Sequence, residues 1–184
     1  LLSDLVKEID RLSRVTNDLL EYGRPRPAQP QNGSVAQLFE QTAHLVAPQM
    51  QARNIEFQCR APVDLQICID PDQAQQVLLN LCLNALQASS EGQTVRLDAE
   101  EWQGRVRIVI TDQGCGISAT DLQNIRQPFF TLKARGTGLG LSISQQLLEA
   151  NGARMEILST LGEGTQVILD CPATANDTGV ERNS

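Results

Sequence analysis

Residues 128–152 read PFFTLKARGTGLGLSISQQLLEANG, and this stretch decides how the rest of the chain is interpreted. Gly136, Gly138 and Gly140 alternate immediately before a segment with helical periodicity. Small residues let a backbone approach a ligand closely, and the first N–H groups of a helix favour negative charge. The stretch therefore predicts a polyphosphate-binding loop, although a lone glycine loop can also be a simple tight turn.

Four residues that precede the glycines favour the interpretation as a phosphate-binding loop. Lys133 and Arg135 supply positive charge, and Phe129 and Phe130 can anchor a lid. The chain has no G-x-x-x-x-G-K-S/T pattern, so this is not a Walker A loop. It also fits the dinucleotide fingerprint poorly, because the glycines are spaced GxGxG and no strand precedes them.

A second signal lies in residues 75–89, QQVLLNLCLNALQAS, a helical pattern that is otherwise aliphatic. Asn80 and Asn84 stand four residues apart and therefore share one helix face. Amides in such a face need hydrogen-bond partners or a cleft, so two interpretations stay open: asparagines satisfied by backbone or solvent, or a Mg²⁺–phosphate site. Mg²⁺ prefers oxygen ligands and usually takes one or two from the protein. Asn84 is the candidate for direct coordination, with Asn80 assisting.

The third signal is RVRIVITDQGCGI at residues 105–117, an apolar strand that ends in D-x-G-x-G. An ordinary Asx turn would account for Asp112, Gly114 and Gly116. The alternative is that Asp112 accepts a hydrogen bond from the exocyclic amine of adenine. Guanine would present a carbonyl oxygen instead, and two facing acceptors are penalised by about 1–3 kcal/mol, which selects ATP over GTP.

The remaining periodicity predicts an α+β fold. Ser34 caps one helix, Asp70-Pro71 opens another, and hairpins are expected around Gly104 and across the GEGT turn that ends in Thr165. The order helix, two strands, helix, two strands, loop, helix, two strands does not alternate as βαβ units. It predicts a two-layer α/β sandwich with helices on one face of a mixed, mostly antiparallel sheet.

Four segments are expected along the chain. Residues 1–23 have heptad spacing, which predicts an amphipathic helix that packs on its own domain or in an intermolecular bundle. Residues 24–33 are proline-rich and predict a semi-rigid linker. Residues 34–172 form the main domain, and residues 173–184 are expected to be a disordered tail.

Composition argues against several classes of function. The net charge of −7 disfavours nucleic-acid binding. No apolar run reaches the roughly 18–20 residues that cross a bilayer, and no signal-peptide layout is present. Five scattered cysteines and one histidine argue against a zinc site and favour reduced thiols in a cytosolic compartment. Because the chain does not begin with Met, we expect it to be part of a longer protein.

Taken in order, NLCLNALQA, DQGCGI, PFFTLKARGTGLGL and GEGT resemble the N, G1, F, G2 and G3 boxes of sensor histidine kinases. That family shares its ATP-binding Bergerat fold with gyrase-type ATPases and related chaperones. The resemblance covers residues 34–172. The segment LLEYGRPRP and the lid are similar to the nitrogen-regulation and zinc-responsive subgroup, whose kinases are often inner-membrane sensors. The resemblance also implies that residues 1–23 are the second helix of a dimerisation hairpin.

The resemblance also implies roles for the residues of these boxes. Asn84 would ligate Mg²⁺, Asp112 would bind the adenine amine, and Lys133 would contact phosphates. The full set of expected nucleotide-binding residues is Asn80, Asn84, Asp112, Gly114, Gly116, Ile117, Phe130, Lys133, Gly138, Leu139, Gly140, Leu141 and Thr165. Leu132 departs from the FFTTK lid that is common in this family.

One departure concerns the phosphoacceptor. The family's His-Glu/Asp motif is absent, and His44 has no adjacent acid, so we expect His44 to be packed or exposed rather than reactive. The resemblance then implies a cytosolic protein-histidine kinase domain that binds ATP and Mg²⁺ but does not phosphorylate itself. Its expected partners are the phosphoacceptor helix of the same kinase, a homodimer at full length, and a response regulator. Any membrane contact would come from upstream segments.

Two rival functions stay open at this point. A gyrase-like or chaperone-like ATPase would carry a water-activating glutamate where Asn80 stands, and an amide cannot act as a base. A non-catalytic or anti-sigma-type nucleotide-binding module would lack the heptad helix of residues 1–23.

Overall fold

The computed structural model describes residues 16, 19, 20, 22, 23, 26–133 and 136–174. Its strands are β1 (Gln31–Ser34), β2 (Glu56–Arg60), β3 (Gln66–Ile69), β4 (Thr94–Trp102), β5 (Arg105–Asp112), β6 (Arg154–Thr160) and β7 (Gly164–Pro172). Its helices are α1 (Val35–Ala52), α2 (Pro71–Ala88), α3 (Ala119–Leu122) and α4 (Gly140–Ala150). Residues 16, 19, 20, 22 and 23 are also helical, and the rest of the predicted heptad helix lies outside the described residues.

The main sheet has five strands in the order β2-β4-β5-β7-β6. Only the β2–β4 pair is parallel, and the other three pairs are antiparallel. Along β5, buried Val106, Ile108 and Ile110 alternate with half-buried positions, so one face of the sheet packs into the core beneath the helices. The α+β sandwich and both predicted hairpins are confirmed.

Strand β1 was not expected from the sequence. Its residues QNGS show no apolar alternation, yet they pair antiparallel with β3 from Gln31 opposite Ile69 to Ser34 opposite Gln66. The first three residues of β1 lie in the segment assigned to the linker. Main-chain pairing rather than side-chain burial therefore begins the domain three residues before the predicted boundary. Of the predicted tail, residues 175–184 lie outside the described part.

The predicted caps of the two long helices are confirmed. Ser34 Oγ accepts a hydrogen bond from the backbone N–H of Gln37 at the start of α1. Asp70 caps α2 with Pro71 in the first turn, where the missing N–H of proline costs little. These caps fix where α1 and α2 begin, and α2 carries both candidate asparagines.

A buried polar junction joins the start of α2 to the end of α4. The Asp70 carboxylate accepts hydrogen bonds from three backbone N–H groups, those of Gln29, Asp72 and Gln73, and lies 3.4 Å from Arg26. Burial opposes ionisation, but the hydrogen bonds and the guanidinium outweigh it and hold the pKa of Asp70 below its usual value. The side chain of Asn151, the C-cap residue of α4, accepts a hydrogen bond from the Asp70 N–H at 2.7 Å. The junction therefore holds α2 and α4 side by side.

Candidate nucleotide-binding site

One face of α2 forms the floor of the site. Asn80, Asn84 and Ala88 are spaced four residues apart, and each contacts a different predicted segment. Asn80 lies against the glycine loop: a Cβ on Gly140 would be 2.6 Å from Asn80 Oδ1. A larger residue at this position would displace the Asn80 amide, so the loop packs directly against the asparagine side chain.

Asn84, one turn further along α2, presents its amide oxygen to a cation. Lys133 Nζ donates a hydrogen bond to Asn84 Oδ1 at 2.6 Å. Mg²⁺ prefers oxygen ligands, and this amide oxygen already accepts a hydrogen bond from a cationic group. No group of three or more His, Cys, Asp or Glu side chains that could hold a metal occurs in the described ranges.

Ala88 at the end of α2 supports the D-x-G-x-G loop. The backbone N–H of Cys115 donates to Ala88 O at 3.1 Å, and a Cβ on Gly114 would collide with the same carbonyl oxygen. Gly114 is therefore required for close backbone packing. The contact places Asp112 beside the same end of α2.

Asp112 lies at the end of β5 and is buried, with 7% of its surface exposed. Its Oδ1 accepts hydrogen bonds from the N–H of Gly114 at 2.9 Å and of Thr165 at 3.2 Å. Burial raises the pKa of Asp112, and these two hydrogen bonds offset only part of that effect. The contact with Gly114 is the predicted Asx turn, so Asp112 is both a turn residue and a buried acceptor.

The GEGT turn packs against Asp112. The interpretation of this turn as a hairpin is confirmed, with Ser159 opposite Thr165. Gly164 has φ +107° and lies so close to Asp112 that a Cβ would collide with the carbonyl oxygen of that residue. The D-x-G-x-G loop and the GEGT turn thus meet at one corner of the site.

The lid, residues 129–138, is closed at its base by backbone contacts. Phe129 has φ 67° and donates its N–H to Gly138 O at 2.9 Å. Gly138 has φ +69°, and a Cβ there would collide with the Phe129 backbone. Both the positive φ and this close contact require glycine at position 138. Phe129 is exposed and Phe130 half-buried. Arg135 lies outside the described residues.

The other predicted residues differ in their burial. Leu139 is fully buried and anchors the start of α4, whereas Leu141 and Ile117 are half-buried. Gly116 has φ +63° and packs against the Thr160 carbonyl. His44 is exposed on α1.

Two serines of the site, Ser144 and Ser159, were not expected from the sequence. Ser144 on α4 is buried, and its Oγ accepts a hydrogen bond from Asn80 Nδ2 at 2.8 Å. Ser159 contacts Ile117, Gly164 and Thr165. The hairpin register would have placed Ser159 opposite Thr165. No local pattern, in contrast, indicates that Ser144 meets Asn80, because 64 residues separate them.

The fold and the site together define an ATP-binding domain in which a glycine loop, a lid and a buried aspartate surround one helix face. Residues 69–175 match the family described as histidine kinase-, DNA gyrase B- and HSP90-like ATPase, and the chain belongs to this family. The curated relatives to which it is similar include the sensor histidine kinase ZraS and the signal transduction histidine-protein kinase AtoS, and the similar solved structures include the catalytic domain of histidine kinase ThkA. It is therefore an ATP-binding catalytic domain of the histidine-kinase type, and the resemblance to the nitrogen-regulation and zinc-responsive subgroup is confirmed.

Three comparisons illustrate this similarity. The sensor histidine kinase ZraS of Escherichia coli (strain K12) is 38% identical over 169 residues, which cover 91% of this chain and 36% of ZraS. Full-length ShkA in complex with AMPPNP superposes with a TM-score of 0.82 at 26% identity, covering 93% of this chain and 38% of ShkA. Histidine kinase ThkA in complex with the response regulator TrrA gives a TM-score of 0.78 at 26% identity, covering 92% of this chain and 49% of that one. The chain thus spans about a third of the length of ZraS.

No helix within the described ranges has the length and apolar character needed to cross a membrane.

Proposed function

We propose that this domain binds ATP with Mg²⁺ and delivers the γ-phosphoryl group to a histidine outside this chain. One observation supports the proposal that the domain binds ATP. Asn80, Asn84 and Ala88 on a single face of α2 contact, in turn, the glycine loop, the lid lysine and the D-x-G-x-G loop. Segments that lie far from α2 in the sequence therefore line one face of this helix.

Each part of this surface suits one part of the nucleotide. Asp112, a buried acceptor, would take the adenine amine, with Gly114, Gly116, Ile117 and Thr165 around the base. The phosphates would be bound by Lys133 and by the backbone N–H groups of Gly138, Leu139 and Gly140, which precede the positive end of α4. Asn80, Phe130 and Leu141 complete the proposed set.

Asn84 would hold the metal. Its Oδ1 is already engaged by the Lys133 ammonium group, so the position accepts positive charge. Bound Mg²⁺ would neutralise charge on the transferring phosphates, the main requirement in phosphoryl transfer. Lys133, on the lid, can then move from Asn84 to a phosphate oxygen.

The acceptor histidine must come from another helix, because His44 is exposed on α1 and has no acidic neighbour in the sequence. We infer that this helix belongs to the dimerisation domain of the same kinase, of which residues 1–23 are one helix, and that residues 24–33 link it to the catalytic domain. A response regulator would receive the phosphoryl group, a partner supported by the ThkA–TrrA complex. The proposed location is the cytosol, where ATP is available.

The kinase proposal is tested by adding the dimerisation hairpin of the full-length protein in trans, with radiolabelled ATP. We expect acid-labile, base-stable label on that hairpin and none on the catalytic chain. The matched control is the same mixture with Asn84→Ala. ATP binding without any label on the hairpin would contradict histidine transfer, and steady phosphate release by the chain alone would indicate an ATPase instead.

A further inference from the structure

Ser159 on β6 joins three segments of the proposed adenine corner. Its Oγ accepts a hydrogen bond from the Ile117 N–H at 2.9 Å and donates one to Gly164 O at 2.8 Å. The same Oγ lies 2.9 Å from Thr165 Oγ1. Ser159 is half-buried and belongs to none of the motifs found in the sequence.

The position of each proton in this cluster follows from the chemistry of its members. A serine hydroxyl has one proton to donate and two lone pairs. The Gly164 carbonyl can only accept, so it takes the Ser159 proton. One Ser159 lone pair takes the Ile117 N–H, and the other is left for Thr165. The Thr165 hydroxyl must therefore donate to Ser159, and its own oxygen presents only lone pairs on its other side.

The orientation of Thr165 matters because Thr165 borders Asp112. The Thr165 N–H donates to Asp112 Oδ1 at 3.2 Å, so the hydroxyl and the carboxylate share one corner. With the Thr165 proton turned towards Ser159, both groups act as acceptors. Such a corner matches an amine on the purine ring and opposes a carbonyl oxygen at the same position.

We propose that Ser159 is a positioning residue that makes Thr165 an acceptor and so favours adenine over 6-oxopurines. The proposal rests on the proposed function, because it assumes that the base lies beside Asp112. A purely structural serine would tie β6 to the loop, and its loss would weaken the binding of every nucleotide equally. The selectivity between nucleotides separates the two roles.

The test measures ATP and inosine triphosphate binding to the chain by calorimetry, with thermal melts alongside. Inosine triphosphate is the matched probe, because its ring carries an oxygen in place of the amine and lacks the second amine of guanine. In Ser159→Ala the Thr165 hydroxyl is free to donate, and we expect the ATP preference to fall about tenfold, the effect of roughly one hydrogen bond. Ser159→Thr keeps the hydroxyl and is expected to retain the preference.

Ser89→Ala is the control, since Ser89 is a buried serine whose hydroxyl donates to Ala85 O at 2.8 Å. It should lower the melting temperature without changing the nucleotide preference. In a Thr165→Val background, Ser159→Ala should have no further effect on preference, because Ser159 acts through the Thr165 hydroxyl.

The possible outcomes distinguish failure of the positioning role of Ser159 from failure of the proposed function. Equal weakening of both nucleotides by Ser159→Ala, or an effect that persists in Thr165→Val, would overturn the positioning role and leave the proposed function intact. Failure of the unsubstituted chain to bind ATP would overturn the proposed function and this inference with it.

Discussion

Replacing Asp112 by asparagine separates an effect on nucleotide binding from an effect on stability. Asparagine keeps an oxygen that can accept from the N–H groups of Gly114 and Thr165. The other carboxylate oxygen becomes an NH₂ donor, which would face the adenine amine. We therefore expect the variant to keep the fold while it changes the group that meets the base.

The direction of both effects follows from the structure. A hydrogen bond to a charged group contributes about 1.5–3 kcal/mol, so ATP affinity is expected to fall about 10- to 150-fold. Stability should move the other way. Because the pKa of Asp112 is raised in the folded protein, its ionisation costs stability at neutral pH. The neutral amide removes that cost, so the free energy of unfolding at pH 7 is expected to hold or rise.

Calorimetry with ATP and thermal unfolding at pH 7 measure the two quantities. Asp112→Ala is the comparison variant: it leaves two buried N–H groups without an acceptor and is expected to lose about 1–3 kcal/mol of stability as well as affinity. Wild-type ATP affinity in Asp112→Asn would refute the assignment of Asp112 to the adenine amine. A large drop in its melting temperature would refute the account of its burial.

Three further predictions concern other parts of the domain. Gly140→Ala would place a methyl group 2.6 Å from Asn80 Oδ1, so we expect ATP affinity to fall about tenfold in calorimetry, whereas a harmless substitution would leave it unchanged. Asp70→Ala removes a helix cap and a buried acceptor, so the free energy of unfolding in urea should fall by about 2–3 kcal/mol. The exposed Asp72→Ala should lose less than about 0.5 kcal/mol, and equal losses in the two variants would contradict a stabilising role for the buried junction between α2 and α4. Lowering the pH from 7.5 towards 5 should weaken ATP binding as the raised pKa of Asp112 is approached, and parallel titrations of wild type and Asp112→Asn would contradict this.

Periodicity predicted the elements of the main sheet because its strands and helices alternate buried and exposed residues. The loops were predictable for a different reason. Gly114 and Gly138 are required because each meets the backbone of another segment, and that requirement leaves a visible pattern in the sequence. Strand β1 left no such pattern, since its pairing uses main-chain groups that every residue carries.

The contacts that the sequence could not predict are those between distant segments. Asn80 and Asn84 were identifiable as polar residues in an apolar helix, but their partners Ser144 and Lys133 lie 64 and 49 residues away. The four-residue spacing of Asn80 and Asn84 predicted that these two side chains share one face of the helix. It did not predict that each position would meet a separate segment, because this depends on how the sheet brings those segments together.

The Mg²⁺ dependence of ATP binding tests the central claim, that one face of α2 assembles a site for the nucleotide and its metal. ATP is titrated calorimetrically into the wild-type chain and into Asn84→Ala, once with Mg²⁺ and once with a chelator. We predict tighter binding with Mg²⁺ for the wild type and loss of that gain in Asn84→Ala, with metal-free affinity retained. No heat from ATP in the wild type, or an undiminished Mg²⁺ gain in the variant, would contradict the claim.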